Sequence, residues 1–147
     1  MNAITRNLPT VGRIGLGLVF TVFGLNGFLQ FLPHPPMPEA AGSFLGALAA
    51  TGYMFPLIKG TEVLSGLLLL SGRYVPLALT LLAPIIVNIV AFHAVLAPGG
   101  VGMALAVLAL EIYLAWVHRA AFRGVLSAQS TPENRAARGG EPAVSRA

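Results

Sequence analysis

YMFPLIKGTEVLSGLLLLSGRYVPLALTLLAPIIVNIVAFHAVL, Tyr53 to Leu96, is the stretch that decides the fold. Arg73 sits alone between two apolar runs, Tyr53 to Gly72 and Tyr74 to Leu96. A hydrocarbon core about 30 Å thick is crossed by about 20 residues of helix at a rise of about 1.5 Å each, and both runs are long enough. One residue leaves no room for a long connection, so the runs form an antiparallel hairpin. Pro84 lies inside the second run and is expected to kink it, because proline supplies no N–H and crowds the preceding turn.

Upstream, IGLGLVFTVFGLNGFLQFL, Ile14 to Leu32, is a third apolar run, about 28 Å long as a helix. Arg6 and Arg13 precede it as in a signal peptide, but the run exceeds such a core and no small-residue cleavage site closes it, so it reads as a retained span. LPHPPMP, Leu32 to Pro38, cannot continue a helix. Pro38-Glu39 then suits a helix start, and the apolar segment to Ala50, ended by Gly52, is too short to span. It is expected to lie along the interface or to re-enter the bilayer. Gly42 and Gly46 form a small-x-x-x-small pair, read either as a packing face or as part of a short connector. Downstream, Ala97-Pro98-Gly99-Gly100 leads into a fourth run, Val101 to Val117, which closes on Trp116, His118 and Arg119. Tryptophan at that depth anchors a helix at the interface.

The expected architecture is therefore all-α: a four-helix transmembrane bundle over residues 1–126, with spans at about 14–32, 53–72, 74–96 and 101–117 and a short interfacial or re-entrant helix between the first two. The remainder, 127–147, is polar and rich in Gly, Pro, Ser and Ala, so it is expected to be a disordered tail. Its Arg135, Arg138 and Arg146 can touch anionic lipid.

Composition agrees. The chain has 147 residues, 56% hydrophobic and 10% charged, with a mean hydropathy of +0.79. Soluble domains carry about 25% charged residues, so there is too little polar surface here for water. A net charge of +4 does not indicate nucleic acid, because the basic residues cluster at the ends of apolar runs instead of forming a basic face. There is no cysteine, which removes disulfides, thiolate metal sites and thiol redox chemistry from this chain. Arg6 and Arg13, Arg73, and Arg119 with Arg123 mark the ends of spans that the positive-inside rule puts in the cytoplasm. Both termini are then expected there too.

Polar residues inside the spans are costly, a charge at the centre by about 2.5–3.5 kcal/mol on insertion scales. They are Lys59, Glu62 and Glu111, joined by Asn26, Gln30, Asn88 and His93. Counted from the outer end of each span, Asn26 and Lys59 lie about 9 Å deep, Asn88 about 12 Å, Glu62 about 13 Å and Glu111 about 15 Å, with His93 within about 6 Å. Lys59, Glu62, Glu111, Asn88, His93 and Asn26 are thus the candidate lining of a ligand or proton-handling cavity in the outer half of the bilayer. Lys59 and Glu62 are three apart and can pair. Glu111 must then be protonated, share Lys59, or accept hydrogen bonds from Asn26, Asn88 or His93. The competing reading is structural, with polar groups fixing helix register. His93, His34 and Met37 match no standard metal spacing, so no metal is assigned. Phosphate-loop, nucleophile-elbow, zinc-protease and haem-attachment motifs are absent, so no catalytic residue is assigned and enzymatic action by the isolated chain is not expected. Gly12, Gly15 and Gly17 read as packing glycines of a membrane helix.

Over about Leu8 to Arg123 the chain resembles the DoxX family of small four-helix bacterial membrane proteins. The resemblance rests on RIGLGLVFTVFGLNGFLQF, on KGTEVLSGLLLLSGRYVPLAL, and on the segments APIIVNIVAFH and ALEIYLAWVHRAAF, with Glu62 to Gly72 its most telling piece. In one departure, Asn26-Gly27 stand where many members have a lysine. The resemblance implies the bacterial cytoplasmic membrane and kinship with membrane subunits of terminal oxidase and thiosulfate:quinone oxidoreductase systems. It implies an accessory subunit or scaffold that contacts other membrane subunits, or its own copies, and a quinone. A carrier or receptor for a small protonatable solute is the alternative.

Overall fold

A computed structural model describes residues 3–33 and 36–123. The described residues contain six α-helices, one 3₁₀ turn and no strand: α1 Ala3–Leu29, α2 Glu39–Ala50, α3 Met54–Ser71, α4 Val75–Val95, the turn Pro98–Gly100, α5 Val101–Val117 and the short α6 Arg119–Phe122. The expected tail at 127–147 and His34 lie outside the described residues. Four of these segments are long and apolar enough to cross a membrane: Asn7–Leu29, Met54–Ser71, Val75–Val95 and Pro98–Val117. The chain is a four-helix transmembrane bundle.

The first helix differs from its expected bounds at both ends. It starts well before Ile14, at Ala3, with Pro9 inside it. It stops at Leu29 because Gln30 turns left-handed at φ 50° and its N–H bonds to Asn26 O at 2.9 Å. Asn26 completes that stop from its side chain, Oδ1 accepting the Leu32 N–H at 2.7 Å.

The spanning helices pack as a ring in which α1 meets α3, α3 meets α4, α4 meets α5, and α5 returns to α1. The seam between α1 and α3 is made by small residues. A Cβ on Gly66 would lie 2.9 Å from Gly17 O, and one on Gly24 would lie 2.8 Å from Val63 Cγ2. Helix backbones in lipid associate through such close approach, since lipid gives apolar surfaces little reason to associate. Gly12 likewise lets Leu110 of α5 in close. Gly15, expected to pack, has no neighbour within 4 Å, nor does Gly46 on α2.

Arg13 ties α1 to the end of α3, donating to Leu69 O and, at 3.1 Å, to Leu70 O. These carbonyls belong to the last turn of α3, which Gly72 closes in the left-handed conformation (φ 71°). The half of the bundle nearest Arg13 is solid, filled by Leu16, Leu69, Leu79, Leu82, Ile86 and Leu114. The opposite half is not. There α2, of which only Ala41 is fully buried, lies against the bundle with Phe44 packed on Phe92 of α4, ring centres 5.8 Å apart.

Candidate functional site

The unfilled half holds a cavity of about 530 Å³. That is a usual size for a small-molecule site. All four spans and α2 contribute to its wall, which is mainly apolar: Phe20 and Phe23 from α1, Leu45 and Leu48 from α2, Ile85 and Ile89 from α4. Four of the expected polar residues come together on this wall, Lys59 and Glu62 from α3 and Asn88 and His93 from α4.

Lys59 and Glu62 share a face of α3 because they are one turn apart. Lys59 Nζ donates to both carboxylate oxygens, at 2.8 Å to Oε2 and 3.1 Å to Oε1. The lysine stem lies across α1 where Gly27 leaves room, so that a Cβ there would fall 2.6 Å from Lys59 Cδ. The ammonium also sits 5.8 Å from the centre of the Phe55 ring, within cation–π range. His93 Nδ1 is 3.1 Å from Ala97 O. A carbonyl only accepts, so Nδ1 carries the proton, and a neutral ring keeps Nε2 as an acceptor. The ring fits because Gly100 has no side chain; a Cβ there would collide with it. Asn88 is exposed along the wall and can both donate and accept.

The other two expected residues lie elsewhere. Asn26 spends its carbonyl oxygen on the Leu32 N–H and is not on the cavity wall. Glu111 is buried on α5 one turn beyond Val107, which does line the cavity, but it is not itself on the wall. Its Oε2 is buried without a hydrogen-bond partner, so it engages none of the side chains expected for it. Two hydroxyls, Thr21 Oγ1 and Ser65 Oγ, are buried unpartnered in the same way. Among the described residues no three His, Cys, Asp or Glu side chains group to hold a metal ion.

Sequence reasoning missed the part played by α2 and by the two glycines that make room for Lys59 and His93. Proximity of Gly100 to a span end was visible, but the ring it accommodates was not. For Gly27 no local signal exists.

The fold and the site together define a multi-pass membrane protein with a mainly apolar cavity between its spanning helices that carries four polar side chains. Compared with known protein families, curated proteins and solved structures, the chain matches none.

Proposed function

We propose that the chain is a DoxX-like accessory subunit or scaffold of a membrane redox system, and that its cavity seats the head of a quinone. The observation that carries this reading is that the Lys59–Glu62 pair shares the wall of one mainly apolar cavity within the spans with Asn88 and His93. Lys59 and Asn88 can donate to quinone carbonyls, while His93 Nε2 and Glu62 can accept from quinol hydroxyls. The pair is neutral overall, which suits a neutral ligand better than an anion. The arginines at one end of the bundle support a placement in the bacterial cytoplasmic membrane with both termini inside, next to partner subunits or further copies of the chain.

Native mass spectrometry of protein gently extracted from its own membrane tests the proposal. A stoichiometric quinone or a partner subunit is the expected result. A ligand-free chain alone or with its own copies would overturn it. The second reading, a carrier or receptor for a small protonatable solute, is favoured by Pro84, which lies inside α4 at the cavity wall. A solute that raises the melting temperature of wild type but not of Glu62→Gln would select it.

A further inference from the structure

The cavity is asymmetric. Its polar groups belong to α3 and α4, whereas the wall from α1 and α5 is apolar throughout. On that apolar side three lining residues are exposed, Val19 at 36%, and more so Phe23 at 55% and Met103 at 73%. One close approach of α1 to α5 is at Gly12 with Leu110 and Leu114, toward the Arg13 end. Phe23 is six residues inside the end of α1 at Leu29, which is about 9 Å into the spanning segment. Met103 is two residues inside the start of α5 at Val101, about 3 Å, so the rim from Met103 to Phe23 runs from the interface down to the level of the acyl chains. Toward the end of the bundle the cavity is covered by α2, through Phe44 on Phe92 and through Leu45 and Leu48.

We infer that the cavity is loaded sideways from the bilayer, through the gap between α1 and α5, by a chain-bearing lipophile. Its polar head reaches Lys59–Glu62, Asn88 and His93, and its chain trails out past Phe23 and Met103 into lipid. A volume of about 530 Å³ holds a ring and a few chain carbons, so a chain of bilayer length must leave by this gap. The inference rests on the reading of the cavity as a ligand site but adds the route, the orientation and the requirement for a chain.

The chain has no cysteine, which permits a direct test. Val107→Cys places one thiol on the cavity wall of the full-length protein in phosphatidylcholine vesicles. Labelling by N-phenylmaleimide, which dissolves in the bilayer, should exceed labelling by a sulfonated maleimide by at least about tenfold, since a charged reagent is excluded from hydrocarbon. Adding Met103→Trp should slow the lipophilic reagent several-fold, whereas Leu45→Trp under α2 should not. Phe23→Trp is the second rim variant, and a melting temperature near wild type shows that each protein is folded. Equal labelling by the charged reagent, or blockage by Leu45→Trp and not by the rim variants, would overturn lateral loading. These rates need no bound ligand, so they stand apart from the quinone reading. Protection of the thiol by a decyl-substituted benzoquinone supports both; lateral labelling without protection supports the route and removes the quinone.

Discussion

The Lys59–Glu62 pair gives the sharpest prediction, because its two halves are buried unequally. Glu62 is 4% exposed and Lys59 21%. Two unit charges about 3 Å apart attract by about 5–6 kcal/mol at an effective dielectric of about 20, before the cost of removing both from water or headgroups is counted. Removing one partner of a buried pair costs about 3–5 kcal/mol, most of it from the charge left behind. Lys59→Met leaves the more buried partner stranded and should cost about 3 kcal/mol. Glu62→Gln leaves a lysine whose stem already lies over Gly27, and whose ammonium can move toward the span end, so about 1–2 kcal/mol is expected. The double variant Lys59→Met/Glu62→Leu strands no charge and should return to within about 1 kcal/mol of wild type. Reversible unfolding in mixed micelles of increasing SDS content, followed by far-ultraviolet circular dichroism, measures all three. A double variant whose loss equals the sum of the single losses would refute the idea that each charge is held by the other. So would a Lys59→Met protein as stable as wild type.

Three further outcomes follow from the same geometry. Gly66→Ala should destabilise by about 1–3 kcal/mol through overpacking of the α1–α3 seam, while Gly60→Ala, with nothing within 4 Å of the new Cβ, should be neutral or slightly stabilising in the same SDS titration. Gly100→Ala should displace the His93 ring and break its bond to Ala97 O, seen as a changed imidazole nitrogen resonance; Gly99→Ala, in open space, should leave that signal in place. Asn26→Ala should cost about 1 kcal/mol by freeing the Leu32 N–H, yet leave the proposed quinone binding, read by native mass spectrometry, as it is in wild type, because Asn26 is not on the cavity wall.

The spans were legible because their cause is one-dimensional. Run length and composition alone decide whether a helix crosses, and the hairpin at Arg73 and the fourth span fall within a residue or so of where the sequence puts them. The candidate site needed a second coordinate. Counting from span ends gives depth but not rotation, and rotation separates Glu62, on the cavity wall, from Glu111, buried off it. Lys59 and Glu62 could be paired from sequence because a spacing of three residues fixes their relative rotation to about 60°. No such constraint links residues on different helices. Asn26 shows another limit: a short amide near a helix end can satisfy the chain's own backbone as easily as a ligand, and here it takes the Leu32 N–H. The room for Lys59 and His93 is made by missing side chains, at Gly27 and Gly100, and part of the cavity wall by a short helix whose packing no periodicity announces.

The choice of basic residue adds an argument that position alone does not. Of the nine Lys and Arg residues, Lys59 is the single lysine; the others are arginines at span ends or in the terminal segments. For marking the inner side of a membrane the two are interchangeable, so topology does not explain why the cavity received the one lysine. Chemistry does. A guanidinium is wide and planar, whereas an ammonium is compact and its stem fits over Gly27 while it donates to the carboxylate 2.8 Å away. A residue kept only to lock helix packing would gain from the five donors of arginine. A residue that must shift between a carboxylate and the oxygen of an incoming ligand gains instead from a flexible stem and a single transferable charge. On the ligand-site reading proposed above, the single lysine suits a cavity that exchanges its contents.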